Sequence, residues 1–412
     1  MEDPEYDVRS GHERADESKS ERDDFNGIDE FDGENFMDAL RGEKLFGSVA
    51  VDDVNLCDEA EDDNDSIGCD FDDELDVPDV QIPDTWVESP AQAPLVNSSG
   101  VCTGEQARTQ PPPGAIVVNA AGVYSGSYKT VAEGVTHIPN TTDEHTLFVF
   151  PGVYHEQVVV PKLNGPLVLQ GYTCDTMSYA ANEVTITQAK AQKDIPPEIK
   201  DNRNFLTTTL GFKSPSGVKV YSLNVANTAG KIKDLGQAVA VYVDSTDYGF
   251  YACNFTGYQD TLCAHKGREL YARSFISGAS CDLESVGDGW VTANGNKNAT
   301  IASEYVFNKA HVFGLNESMN GTTHLGRPWG EYARVVFQNS ELEDVVNLEG
   351  WTPWDDKTST DNVYFKEFNN EGPGAVTVAR VPYSGQLDAA VDITEILGDD
   401  YESQWWVDSK FL

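Results

Sequence analysis

Val220–Thr228 reads VYSLNVANT, Phe250–Tyr258 reads FYACNFTGY, Leu270–Gly278 reads LYARSFISG and Glu304–Gly314 reads EYVFNKAHVFG. Each stretch sets apolar residues beside a small or polar one and ends at a turn. Aligned on one another, they put Asn224, Asn254, Ser274 and Lys309 in one column, at spacings of 30, 20 and 35 residues. Irregular repeats of that length, built from short strands, predict a β-solenoid in which each coil buries one side against the next. A β-sandwich also consists of short strands and turns, but it does not require side-chain types to recur in the same order.

Working outward, the same texture holds from about residue 115 to the end. HTLFVFPGVYHEQVVVP (145–161), GPLVLQGY (165–172), NEVTITQ (182–188), YARVVFQNSEL (332–342) and NVYFKEFNN (362–370) are rich in β-branched and aromatic residues and bounded by Gly, Asn, Asp or Pro, as short strands require. Helical periodicity is confined to SYKTVAEGVTHI (127–138) and the segment after Asp392. Residues 1–85 are rich in Asp, Glu, Ser and Gly, and their apolar residues are too scattered to offset the entropy of ordering. The expected organisation is therefore a disordered acidic extension over 1–85, a Pro-rich linker over 86–114 and an all-β domain over 115–412.

The net charge is −41. Residues 1–100 carry 32 Asp and Glu against 6 Lys and Arg, so most of the excess sits in the first quarter. An acidic surface repels polyanions, which argues against nucleic acid and anionic membranes as partners. No run of 18 apolar residues exists to span a bilayer. The chain opens MEDPEYDVRSGHERADESKS, with no apolar core of a signal peptide. Seven Asn-x-Ser/Thr sequons nevertheless point to a secretory history. There are seven cysteines and no CxxC, so no zinc cage is expected.

Three stretches put polar groups where a plain core would not. GQAVAVYV places Gln237 at the head of an apolar run. GYQDTL sets Gln259 beside Asp260 after Tyr258, and HLGRPWGEYARVVF sets Arg327 and Trp329 just before a strand. On neighbouring coils these residues can converge on one groove. A carboxylate near an arginine stays ionised and can act as nucleophile or base. A second, desolvated carboxylate can deliver a proton. Side-chain amides can donate to an oxyanion, and an indole offers a flat face to a sugar ring. Together these are the parts of an esterase or glycosidase that needs no metal. No GxSxG elbow occurs, which argues against a serine hydrolase.

The ordered blocks PGVYHEQVVVP, NVANTAG, QAVAVYV, FYACNFTGYQDTL, GRELYARSFISG, HLGRPWGEYARVVFQNS, EGWTPWDD and FNNEGPGA closely resemble the pectin methylesterases, the fungal ones in particular, over about residues 112–412. The resemblance implies a right-handed parallel β-helix. It also implies removal of methyl groups from methyl-esterified polygalacturonate, leaving a carboxylate and methanol, by two aspartates with no metal or other cofactor. An extracellular or cell-wall setting and a monomer are implied as well, with pectin as the partner. Residue by residue, it puts the general acid/base on Asp260, the oxyanion-stabilising amides on Gln259 and Gln237, and the arginine that holds nucleophile and substrate on Arg327. The sugar-packing aromatics fall on Trp329 and Tyr258.

The resemblance breaks after Ala279. The family's nucleophile lies in a block like Gly-x-x-Asp-Phe-Ile-Phe-Gly, and no such block occurs here. One alignment makes Asp282 the nucleophile, 22 residues after Asp260, but then Glu284 falls where an apolar strand residue is expected. The other matches CDLESVGDGWVTANG (281–295) to the family's following coil, so that about one coil is missing between Ala279 and Ser280. The internal echo favours the second, because SCDLES follows Ser274 too closely to complete a coil. Two functions remain open on these residues: a pectinesterase, or a pectin-binding β-helix without turnover. A polygalacturonase would need a Gly-His-Gly motif that is missing, and a pectate lyase would need a calcium site.

Overall fold

Strands recur along this chain because each carries apolar residues at alternate positions, and each coil hides that row under the row of the next. The computed structural model describes residues 48–52, 102, 104–230, 236–278, 284–285, 289–314, 317–355 and 357–412, all within one unit, Glu43–Leu412. They wind as a right-handed parallel β-helix.

The first face is an 11-stranded sheet. In spatial order it runs Ile116–Val118, His145–Val149, Leu167–Gly171, Val218–Tyr221, Tyr248–Tyr251, Glu269–Ala272, Ser48–Asp52, Glu304–Asn308, Arg334–Gln338, Tyr364–Phe368 and Ser384–Gln386. All neighbours are parallel except Ser48–Asp52, which is antiparallel to the strands on both sides. The second face is an eight-stranded sheet whose order includes Asn224–Asn227, Asn254–Thr256, Phe275–Ser277, Glu284–Ser285 and His311–Gly314. The third face comes in pieces. Val158–Val160, Leu210–Phe212, Val241–Asp244 and Leu262–Lys266 form one sheet. Further on, Gly289–Trp290 pairs with Thr323–His324, and Ala293–Asn294 pairs with Arg327–Pro328.

A single left-handed residue turns the chain from the first face to the second: Ser222, Ala252, Arg273, Lys309, Asn339 and Asn369, with φ between 48° and 57°. The Asn339 side-chain amide donates to Asn308 Oδ1 and the Asn369 amide to Asn339 Oδ1, both at 3.0 Å, so these corners stack. The expected column is half right. Asn224 does pair with Asn254, but the next partner of Asn254 is Phe275 rather than Ser274, and Lys309 is a corner residue.

The core is a stack of inward rows. Phe250 lies on Tyr271 with ring centroids 4.7 Å apart, Phe307 on Phe337 at 4.4 Å and Trp351 on Phe365 at 4.3 Å. The outer side of the first face is covered by the C-terminal segment. There Tyr251 Oη donates to the Trp406 carbonyl at 2.7 Å and Phe411 packs on Tyr251.

Both expected helices form. Val131–Thr136 is capped by Thr130 with Glu133 in a reciprocal capping box, and Ile393–Leu397 is capped by Asp392. Two boundaries differ from expectation. Order begins before residue 115, because Arg108 bridges Thr173 and Cys102 is disulfide-bonded to Cys174. Ser48–Asp52 is a strand inside the stretch expected to be disordered, since it finds two ladders to complete. The other residues up to 101 lie outside the described set.

Candidate active site

Gln237, Gln259 and Asp260 sit at the heads of third-face strands on adjacent coils. The Ala238 amide donates to the Gln259 carbonyl at 3.1 Å, and the Gln192 amide donates to the Gln237 carbonyl at 2.9 Å. All three residues, with Tyr258, are half-buried. Asp260 is left-handed, with φ 60°, a conformation Asp tolerates better than most residues. The turn is held from behind by Thr261. Its hydroxyl donates to the Ser277 carbonyl at 3.0 Å, and its carbonyl accepts from the Ala240 and Val241 amides at 3.0 Å. Gly257 has no room for a side chain, because a Cβ would come within 2.8 Å of Thr261 Oγ1. The turn therefore carries Gln259 and Asp260 on a fixed backbone, with Gln237 on the adjacent coil.

Arg327 and Trp329 lie further along the same face. The Arg327 amide donates to the Thr292 carbonyl at 3.0 Å. Its guanidinium packs on two indoles, 3.6 Å from the Trp290 ring centre and 4.1 Å from that of Trp354. Trp290 is anchored by its Nε1–H donating to Thr352 Oγ1 at 2.6 Å. Trp329 stands 6.3 Å from Trp354, and the Lys297 ammonium lies over its ring at 5.4 Å. Both indoles hold the guanidinium by cation–π contact. Sequence reasoning missed Trp290 and Trp354 as part of this cluster. The signal was a Trp in each of the quoted stretches GDGW and EGWTPWDD.

The two groups belong to different pieces of the third face. Among the described residues, no ladder joins Leu262–Lys266 to the strands that begin at Gly289. Asp282, the candidate nucleophile, lies outside the described residues.

Away from this face, His311, Glu341 and Glu343 place ligand atoms within 4.8 Å of one another. His311 Nε2 and Glu343 Oε1 are already 2.6 Å apart as a pair, which accounts for the cluster without a metal. Cys263 is disulfide-bonded. Cys253 is free, and burial pushes its thiol up to about 12.

Known proteins match this chain. The family model described as Pectinesterase matches residues 115–283 and 282–396, two stretches that meet at Asp282 and Leu283. The pectinesterase of Aspergillus aculeatus is 40% identical over 326 residues, covering 74% of this chain and 94% of that protein. The pectin methylesterase of Aspergillus niger, solved in a penultimately deglycosylated form, superposes with a TM-score of 0.66 at 31% identity. That match covers 74% of this chain and 100% of the other. The carrot pectin methylesterase gives a TM-score of 0.60 at 27% identity, over 71% and 97% of the two chains. Family profile, fungal relative and shared architecture agree, and the chain belongs to the pectinesterase family.

Proposed function

We propose that the chain hydrolyses the methyl esters of polygalacturonate, releasing methanol and leaving pectate, outside the cell and as a monomer. The observation that carries this reading is the join of Gln237, Gln259 and Asp260 across adjacent coils, through the bond from the Ala238 amide to the Gln259 carbonyl. In the proposed reaction a carboxylate attacks the ester carbonyl carbon. The amides of Gln237 and Gln259 donate to the oxyanion as it forms. Asp260 gives its proton to the departing methoxide, then takes one from the water that releases the acid. The mechanism calls for no metal. Arg327 holds the attacking carboxylate and the substrate, and Trp329 and Tyr258 pack on the sugar. Asp282 is the second aspartate the sequence offers.

A second reading has its own observation. Among the described residues no ladder joins Leu262–Lys266 to Gly289–Trp290, where a second carboxylate would have to stand. On that reading the chain binds pectin and turns nothing over. Methanol release from highly methylated pectin by the full chain decides between them. The esterase reading expects release that falls at least about 100-fold in Asp260→Asn. Binding of the polymer with no methanol selects the second reading.

A further inference from the structure

The second face counts the coils across the interruption. Ser277 pairs with Glu284 and Glu284 with Phe313, so one strand separates Phe275–Ser277 from His311–Gly314. Each of those outer strands follows a first-face strand through a left-handed corner, at Arg273 and Lys309. Glu269–Ala272 and Glu304–Asn308 are therefore two sheet spacings apart, about 9.6 Å. The 30 residues between Arg273 and Glu304 hold strands of the second and third faces. Among the described residues they hold none of the first. Left open, the gap would expose two unpaired edges inside a buried sheet.

Ser48–Asp52 fills that gap. Ser48, Val49, Ala50 and Val51 pair with Ala272, Tyr271, Leu270 and Glu269 on one side. The same segment pairs with Asn308, Phe307, Val306 and Tyr305 on the other, and Asp52 pairs with Glu304. The sequence alternates to match. The register sets Val49 opposite Tyr271 and Phe307, and Val51 opposite Glu269 and Tyr305. Ser48, Ala50 and Asp52 take the alternate positions. A segment that does not continue the winding is free to run antiparallel, which a coil of the solenoid is not.

We infer that the gap in the first face is a strand-acceptor site and that the chain's own Ser48–Asp52 is its occupant, replacing a strand the solenoid lacks. Five residues of the acidic extension, Ser48–Asp52, are thus part of the fold.

Hydrogen exchange on the full chain tests this. Amides of Ser48–Asp52 are expected to be protected at least about 100-fold over the rest of residues 1–85. Exchange as fast as their neighbours overturns the proposal. Ala50→Pro removes a donor and a strand conformation. It is expected to strip protection from Glu269–Ala272 and Glu304–Asn308 and to lower the melting temperature by about 5 °C, while Ser20→Pro changes neither. Full protection of both facing edges in Ala50→Pro overturns the proposal, and if that variant does not fold, exchange in the unaltered chain still decides. Protection that disappears on dilution assigns the strand to a second copy of the chain and overturns its intramolecular form.

Discussion

The first and third faces meet the same shortage of chain and end differently. On the first face, strands from Ile116 to Gln386 form one continuous ladder, because a segment from far upstream enters between Glu269–Ala272 and Glu304–Asn308. On the third face nothing described bridges Leu262–Lys266 and the strands from Gly289 onward. The difference lies in what each face needs. The first face needs only a backbone with alternating apolar residues, and five residues from elsewhere can supply it. On the proposed mechanism the third face needs a carboxylate at one point between Asp260 and Arg327, which a generic strand does not bring. Structure is repairable by any compatible strand, whereas chemistry requires a particular side chain in place.

The largest expected effect comes from restoring what both faces lack. Inserting a coil that carries the family's aspartate block between Ala279 and Ser280 should raise methanol release at least about 100-fold. It should also displace Ser48–Asp52, whose amides would then exchange freely. A rise in turnover with Ser48–Asp52 still protected would break the link between the two faces. No rise at all would mean that the break in the third face does not limit turnover.

How much of this was legible in the sequence follows from the same contrast. The solenoid was readable because Val220–Thr228 and Phe250–Tyr258 repeat side-chain types that really do pair, as Asn224 does with Asn254. Asp260, Gln259, Gln237 and Arg327 were readable as polar residues out of place in apolar strands. The corners were not readable, because Ser222, Ala252, Arg273 and Lys309 share a backbone conformation and no side-chain chemistry. Ser48–Asp52 was hidden for a different reason. Its five residues form no structure of their own and order only against a gap more than 200 residues away in the chain. The packing of Arg327 on two indoles depends on the pairing of Ala293 with Arg327, which no local pattern encodes.

A smaller effect tests the intact side of the interruption. Trp354→Ala removes one of the two indoles that cover Arg327. It should weaken binding of methyl-esterified pectin about tenfold, read by titration calorimetry, with the melting temperature nearly unchanged because Trp354 is only half-buried. Trp351 is the contrasting neighbour. It is fully buried on Phe365, so loss of stability rather than of binding is expected from its truncation.

The smallest effect concerns the edge that Ser48–Asp52 covers. Glu269, in register with Val51, is fully buried, and its Oε1 accepts no hydrogen bond among the described residues. Burial drives its carboxyl well above the usual range, and the hydroxyl of Tyr271, which donates to Oε2, opposes that only in part. Glu367, equally buried, differs in being held by the Arg380 guanidinium at 2.8 and 3.1 Å. An unfolded chain ionises such a group near about pH 4.3. Below that pH both states hold the proton, and Glu269 carries no penalty. Above it the unfolded state releases its proton first, so the stability present in acid is lost as pH rises towards the folded value. Gln cannot ionise. Glu269→Gln should therefore match the parent near pH 4 and exceed it by at least about 1 kcal/mol at pH 7, measured by denaturant unfolding at both pH values. An advantage of equal size at pH 4 would assign the gain to packing. A loss at pH 7 would mean that the ionised carboxylate has a partner on the covering strand, and that the repaired face depends on charge after all.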